Sequence, residues 1–311
     1  MKGNIIRGIV AVMMILALIL LLPSPRALTE VAPIPLPIDL SPGPAPNAAL
    51  YGEDGMSYQD ASISVAGGAG RRFDTNYIFV RVRIVDASQL RTASAGNFHG
   101  QSATLGRVLA KRQNAVAAIN GDFFVMDPFA VAIRQGKLYR NRPAGEDVLL
   151  IDDQGDFHIA RAPETKEQVE TALRDVESAG RKVINAFTFG PALVENGRCL
   201  IPDDPEFSYF NAGAQSLAQR ISFSQIGPLE YLIIATEGPD NVDSRGMTLY
   251  GIAKTTEEVG LALSERGCIL SYNLDGGSSS TVIINNEKIN APGAKSRHIN
   301  DIIYFATLIG Q

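Results

Sequence analysis

One run of residues, 273–281, most constrains what this chain can fold into: Asn-Leu-Asp-Gly-Gly-Ser-Ser-Ser-Thr. Apolar residues 268–272 precede it and residues 282–285 follow it, so the pattern predicts a strand, a glycine turn and a second strand. Glycines permit a sharp turn and the close approach of a ligand, and successive backbone N–H groups can bind an anion. Asp275 adds a carboxylate. The run therefore predicts a site for a charged, hydroxyl-rich substrate, with an ordinary hairpin turn as the open alternative.

The rest of the chain is rich in strand patterns. Apolar and β-branched segments predict strands at residues 77–85, 115–119, 147–152, 156–160, 219–224, 230–236 and 301–308. Helical spacing predicts helices at residues 101–113, 164–178 and 255–266, the last capped by Thr255 or Thr256. Many strands and few helices, without strict βαβ alternation, favour an α+β fold. We expect a single domain around a mixed or largely antiparallel sheet with a few flanking helices.

The N-terminus has the layout of an export signal. Lys2 and Arg7 precede an apolar run at residues 8–22, which Pro23 ends. The run is shorter than the ~20 residues that span a bilayer comfortably, but no clean cleavage site follows it. Residues 1–27 are therefore predicted to be a signal peptide or an N-terminal membrane anchor, and the protein is predicted to be extracytoplasmic, either periplasmic or secreted. Contact with a membrane is expected only through this segment, if it stays uncleaved.

Residues 28–72 are predicted to form a linker. Its first part is rich in proline, which favours an extended, semi-rigid spacer, and residues 52–72 are rich in glycine and serine and are expected to be irregular. The folded domain is therefore predicted to span residues 73–311.

Composition excludes several classes of function. The formal net charge is −5, so the chain lacks the basic footprint of a nucleic-acid-binding protein, and any positive charge that meets a phosphate must be local. No serine-hydrolase elbow, zinc-protease motif or nucleotide-binding loop is present. Cys199 and Cys268 do not have the spacing of a metal site. Export would permit a disulfide between them, and burial as separate thiols is the open alternative.

Three blocks of sequence, in this order, carry a family resemblance. They are Ala-Ile-Asn-Gly-Asp-Phe-Phe at residues 118–124, Phe-Thr-Phe-Gly-Pro-Ala-Leu-Val at 187–194, and the run at 273–281 with Arg297 after it. From about residue 77 to 308 the chain resembles the phosphodiester glycosidase family. The resemblance implies removal of an N-acetylglucosamine-type sugar from a sugar-1-phosphate diester. Two positions depart from the family pattern, since Asp122 and Ser278 stand where glycine is common.

The resemblance and the residue chemistry together predict the site. Asp275 is the predicted key carboxylate, because glycosyl transfer to water usually needs one, and Asn120 and Asn273 are assigned to catalysis beside it, since an amide can bind sugar hydroxyls. Arginine makes bidentate contacts to phosphate, so Arg297, and second to it Arg220, is expected to bind the phosphate. The predicted substrate-binding residues are Arg297, Arg220, Gly276, Gly277, Ser279, Thr281 and Asp122.

The expected partner is a sugar-phosphate or glycan substrate, with no nucleic acid. No cofactor is predicted, but a divalent cation held by oxygen ligands stays open. For Asp122 we weigh a second carboxylate, a metal ligand and a solvated turn residue, and we favour the solvated turn. The alternative function is a non-catalytic glycan- or envelope-binding module of the same fold, with a link to exopolysaccharide left open.

Overall fold

A computed structural model describes residues 42–96, 98, 102–123, 128–209 and 213–310. The predicted signal or anchor segment, residues 1–27, lies outside these ranges. None of the helices within them is long and apolar enough to cross a membrane.

Eighteen strands and three α-helices make up the described part of the chain. The strands are β1 Tyr58–Gln59, β2 Ile63–Arg72, β3 Thr75–Ile84, β4 Leu90–Ser94, β5 Ala117–Asn120, β6 Val131–Arg134, β7 Lys137–Asn141, β8 Val148–Asp152, β9 Phe157–Ala160, β10 Val183–Thr188, β11 Ala192–Glu195, β12 Arg198–Cys199, β13 Ile221–Gly227, β14 Glu230–Thr236, β15 Leu270–Asn273, β16 Val282–Ile284, β17 Glu287–Lys288 and β18 Asp301–Phe305. The helices are α1 Gly106–Arg112, α2 Lys166–Ser178 and α3 Leu249–Leu263.

The strands form three sheets. The first has eight strands in the order β1-β2-β3-β14-β13-β15-β11-β12, the second has five in the order β7-β6-β10-β8-β9, and the third has five in the order β17-β16-β5-β18-β4. Every pair of neighbours in these orders is antiparallel. The predicted α+β class is confirmed, and of its two sheet alternatives the antiparallel one is observed.

One apolar core joins the three sheets. Val80 and Phe223 of the first sheet, Leu149 of the second, and Ile119 and Phe305 of the third belong to a single buried cluster. The rings of Phe223 and Phe305 meet edge to face with centroids 6.2 Å apart, an arrangement that aromatic pairs favour. The inner face of each sheet is therefore covered by the other two.

Each sheet also buries a second face under one helix. Leu109 of α1 packs on the third sheet, Val169 of α2 packs on the second, and Ile252 of α3 packs on the first. Strands buried on both faces read as nearly continuous apolar runs, which is the pattern at residues 231–235 and 302–305.

The predicted third helix begins earlier than expected. Thr248, and neither Thr255 nor Thr256, caps α3, because its Oγ1 accepts a hydrogen bond from the Gly251 N–H at 3.1 Å. Thr255 lies inside the helix and donates to the Gly251 carbonyl at 2.8 Å. The small and apolar residues before Thr255 are helical because they pack under the first sheet.

The linker prediction is wrong for its last part. β2 pairs with β3 along all ten residues, from Ile63 opposite Ile84 to Arg72 opposite Thr75. Its glycines allow close packing rather than looseness: a Cβ on Gly67 would lie 2.9 Å from the Met56 side chain, and one on Gly70 would lie 2.4 Å from the Tyr77 hydroxyl. The glycine-rich composition that suggested a loop therefore belongs to a strand.

Candidate active site

Strand pairing brings the ends of three strands together in the third sheet. β5 ends at Asn120, and β16 begins just after the 273–281 run and pairs with β5 through Val282 and Ile119. β18 flanks β5 on its other side, with Ile302 opposite Asn120. The turn after β5, the glycine turn and the segment before β18 therefore meet at one edge.

The glycine turn is fixed by a side chain from β5. The Asn120 amide donates to the Asp275 carbonyl at 2.9 Å and to the Gly121 carbonyl at 3.0 Å, and its oxygen accepts from the Thr281 N–H at 3.0 Å. Both ends of the turn are bonded to one buried amide. Asn120 is thus placed to position the turn, and both donors of its amide are already occupied by backbone carbonyls.

Glycines are required where this turn passes the start of β13. A Cβ on Gly276 would lie 2.6 Å from the Gln219 carbonyl oxygen, and the Gly277 N–H donates to that same oxygen at 2.9 Å. Gly277 has a φ of +57°, a conformation that glycine adopts at little cost. The two predicted binding glycines therefore have a structural role in shaping the turn.

Asp275 and Arg297 form an ion pair at the mouth of the site. Arg297 Nη2 lies 2.9 Å from Asp275 Oδ2 and also donates to the Ser279 hydroxyl. The guanidinium stands over the Phe123 ring, 5.2 Å from its centroid. The Arg297 side chain is 46% exposed, whereas that of Asp275 is 15% exposed. The carboxylate is enclosed, and the arginine can exchange partners with a ligand.

Burial raises the pKa of Asp275 above its ordinary value. Hydrogen bonds from Ser279 and Arg297 and the charge of Arg297 act in the opposite direction, and the nearby carboxylate of Asp122 adds to the rise. A carboxylate with a raised pKa is a better proton acceptor near neutral pH.

Behind Asp275 lies a buried charge network that joins the second and third sheets. Arg134 Nη2 is 2.7 Å from Asp122 Oδ1, and Arg134 Nε is 3.1 Å from Asp301 Oδ2, with all three side chains essentially unexposed. Asp122 Oδ2 also accepts from the Thr188 N–H at 2.8 Å. The favoured prediction that Asp122 is a solvated turn residue is wrong, because Arg134 arrives from β6 and covers it.

The carboxyl group of Asp301 has a raised pKa. Burial raises the pKa of Asp301 to about 7, helped by the charges of Asp122 and Asp275 and opposed by Arg134. Its Oδ1 is buried without a hydrogen-bond partner in the described structure. A Cβ on Gly121 would lie 2.3 Å from that oxygen, so the glycine after Asn120 makes room for this carboxyl.

These groups surround one narrow pocket. Its lining residues are Asn120, Gly121, Asp122, Phe123, Asp275, Ser279, Arg297, His298, Ile299, Asn300 and Asp301. Three carboxyl groups and an arginine thus face the same small volume. A site of this composition can hold a phosphate on Arg297 and offer carboxylates for proton transfer.

Two predicted site residues face elsewhere. The buried Arg220 guanidinium donates to the backbone carbonyls of Met247, Gly213 and Ser216 at 2.7–3.0 Å, and burial lowers the pKa of Arg220 to about 10. Asn273 donates to the Gly190 carbonyl at 2.8 Å. Neither residue lines the pocket around Asp275, and the assignments of Arg220 to the phosphate and of Asn273 to catalysis stay predictions.

Arg134 and Asp301 are the site residues that the sequence-based prediction missed. Arg134 was detectable as a lone arginine that ends the apolar stretch at residues 130–133, and Asp301 as the carboxylate that opens the last apolar strand. Neither signal says which charges meet, because Arg134 and Asp301 are separated by 167 positions in the chain.

The sequence left open whether the two cysteines form a disulfide and whether the site holds a metal ion. Cys199 and Cys268 are free thiols, and burial raises the pKa of Cys268 to about 12. Among the residues that the structure describes, no group of three or more His, Cys, Asp or Glu side chains is arranged to hold a metal ion.

Comparisons with known proteins show a family and similar folds. The family model described as phosphodiester glycosidase matches residues 113–306, more than half of the 311 residues. The fold is similar to the catalytic domain of zebrafish N-acetylglucosamine-1-phosphodiester alpha-N-acetylglucosaminidase, auto-inhibited by its pro-peptide, with a TM-score of 0.59 and 16% identity over 80% of this chain and 84% of that one. It is also similar to a hypothetical protein from Synechocystis, with a TM-score of 0.54 and 14% identity over 78% of this chain and 62% of that one. No curated protein matches the sequence.

Proposed function

The chain belongs to the phosphodiester glycosidase family, and on that basis we propose that it hydrolyses a sugar-1-phosphate diester and releases an N-acetylglucosamine-type sugar. The observation that carries this proposal is the meeting of Asp275, Ser279 and Arg297 in one pocket. An enclosed carboxylate beside a half-exposed arginine suits a substrate with a reacting sugar carbon next to a phosphate.

In this reaction the bond between the anomeric carbon and the phosphate oxygen breaks. The bonding electrons stay with the departing phosphate monoester, and water supplies the new hydroxyl of the sugar. We assign the proton of that water to Asp275, whose raised pKa suits a general base, and from there to the phosphate or to solvent. The phosphate leaves readily, so strong acid assistance is less necessary than for an ordinary glycoside.

Arg297 is assigned to the phosphate. In this structure it bonds Asp275 and Ser279 through Nη2, and its side chain is half-exposed. When a phosphate binds, its charge competes with Asp275 for the guanidinium. Transfer of Arg297 to the phosphate frees the carboxylate to accept a proton from water.

The test is hydrolysis by the full-length protein and an Asp275→Asn variant. UDP-N-acetylglucosamine and N-acetylglucosamine-1-phospho-methylmannoside are suitable substrates. The variant keeps the shape of the side chain but loses the base, so we expect kcat to fall roughly 10²–10⁴-fold with the fold intact. Asp203→Asn is the matched control, because Asp203 is exposed and does not line the pocket. Near-normal turnover by folded Asp275→Asn protein would contradict the assignment.

The ion pair between Asp275 and Arg297 also favours a second candidate, a non-catalytic glycan-binding module. In that module the pair would be a permanent structural contact rather than one that a ligand opens. Binding of both substrates by calorimetry without release of sugar, across a panel of sugar phosphates, would support this candidate.

We further propose that the protein acts outside the cytoplasmic membrane, from the signal-like residues 1–27. A fusion of residues 1–50 to a reporter that is active only after export should give signal. No signal from this reporter, together with signal from the same fusion to a reporter that is active only in the cytoplasm, would refute the proposed location outside the membrane.

A further inference from the structure

A second cavity adjoins the candidate active site and shares Arg297 with it. It has a volume of about 170 Å³ and lies between the start of α1, the hydroxyl-rich turn and β17. A water molecule takes about 30 Å³ of liquid volume, so the cavity has room for a phosphate-sized group. Part of its lining belongs to the third sequence block, through Ser278, Thr281 and Arg297.

Three cationic side chains line the cavity: Arg107 from α1, Lys288 from β17, and Arg297. Glu287 is the one carboxylate in the lining. Cations predominate here although the chain as a whole carries net negative charge. The local field therefore attracts an anion.

Lys288 is the most informative member. Its ammonium Nζ is buried and has no hydrogen-bond partner among the described residues, and burial lowers the pKa of the Lys288 side chain. An ammonium removed from water without a partner is costly. A negatively charged group that contacts Nζ from the cavity would offset this cost.

Hydroxyl groups complete the lining. Ser278, Thr281 and Ser296 are part of the cavity wall, and each can donate to an anionic oxygen. Ser278 stands at one of the two positions where the chain departs from the family's glycine. The departure adds a hydroxyl-bearing side chain to the wall of this second cavity.

We propose that this cavity binds a second anionic group of the substrate, a phosphate or carboxylate that lies on the leaving-group side of the scissile phosphodiester. The inference rests on the proposed function, because Arg297 lines both cavities and would lie between the two anionic groups. It narrows the substrate class to sugar-1-phosphate diesters in which the departing phosphate carries a further anionic group, such as a pyrophosphate-linked sugar, in preference to those in which that phosphate is esterified to a neutral alcohol.

Binding is tested first, by calorimetric titration of the full-length protein with inorganic phosphate and with UDP-N-acetylglucosamine. Lys288→Met and Arg107→Gln should each weaken binding of both ligands roughly tenfold, the loss of one charge-assisted contact. Lys182→Met and Arg112→Gln are the matched controls, because both side chains are exposed and neither lines a cavity of the site. Lys288→Met should also raise the thermal midpoint, which shows that weaker binding is not a loss of fold. Parent-like binding by both cavity variants would overturn the proposal.

Turnover then separates a substrate group from free phosphate. Lys288→Met should raise KM roughly tenfold for UDP-N-acetylglucosamine, which carries a second phosphate, and leave KM for N-acetylglucosamine-1-phospho-methylmannoside unchanged. Weaker phosphate binding with an equal change in KM for both substrates would overturn the assignment to the leaving group. If the parent cleaves neither substrate, the proposed function fails. The titrations alone then decide whether the cavity binds an anionic group. In that case, an unchanged affinity of Lys288→Met for UDP-N-acetylglucosamine would overturn the proposal that the cavity binds an anionic group.

Discussion

At the scale of single residues, the carboxyl of Asp301 should make the stability of the protein depend on pH. Its pKa is raised from 3.8 to about 7 by burial, so the folded state favours the protonated form. The stability that this group contributes is therefore fully present below about pH 4 and is lost as pH rises towards 7. Asp301→Asn fixes a neutral side chain in the same place.

We expect the thermal midpoint of the parent to fall more steeply between pH 4 and pH 7 than that of Asp301→Asn. The quantity compared is the slope of the thermal midpoint against pH. The absolute midpoint is not compared, because the substitution also changes the contact with Arg134 and so shifts it. Asp203→Asn, at an exposed position, should keep the parent slope. Equal slopes for the parent and Asp301→Asn would contradict the raised pKa.

The sequence predicts which residues lie at the candidate pocket better than it predicts what their side chains do there. Asn120 lines the candidate pocket, but its amide is bonded to the backbone of the glycine turn, and its assignment to catalysis stays a prediction. Asp122 is in the site as well, although it is paired with Arg134 rather than solvated. A motif indicates which residues recur at a site, whereas hydrogen-bond partners depend on chain segments far away in sequence.

At the scale of elements, Arg134 connects β6 of the second sheet to β18 of the third. It bonds two buried carboxylates and stands over the Phe187 ring, 4.1 Å from its centroid. Arg134→Met would leave Asp122 and Asp301 buried without their cation. Breaking a buried pair in this way costs roughly 3–5 kcal/mol, so urea should unfold the variant at a markedly lower concentration.

A second variant separates charge from packing. Adding Asp122→Asn and Asp301→Asn to Arg134→Met removes the uncompensated charges and should recover part of the lost stability. Arg83→Met on β3 is the control, since Arg83 makes no ion pair in the described structure and surface changes of this kind are usually small. If the triple variant is no more stable than Arg134→Met, the network does not act through charge.

Elements with strong apolar patterns could be predicted, and those without could not. The strand expected at residues 77–85 is observed at Thr75–Ile84, and the hairpin of β8 and β9 lies where it was expected. β2 escaped prediction because glycine and alanine have low strand propensity, and its place is set by pairing with β3. The packing of three sheets around one core is not visible in any local pattern.

At the scale of the whole molecule, the shared core makes the N-terminal strands part of the domain. Tyr58, Ile63 and Val65 are almost completely buried in the cluster that joins the three sheets. β2 is also the neighbour of β3, so its removal would leave β3 as a long, unpaired edge that invites aggregation. We therefore expect the domain to require residues that composition assigned to the linker.

Truncation tests where the domain begins. A chain that starts at residue 42 keeps β1, β2 and the hydrogen bond from Asn114 to the Gly43 carbonyl at 2.8 Å, so it should unfold cooperatively. A chain that starts at residue 73 loses three buried side chains worth roughly 1.5–3 kcal/mol each, a sum comparable to a typical total stability of about 5–15 kcal/mol. Circular dichroism should show a cooperative thermal transition for the first chain and none for the second. If the shorter chain shows the same cooperative transition as the longer one, β1 and β2 lie outside the folding unit. The remaining core would then fold without the burial of their side chains.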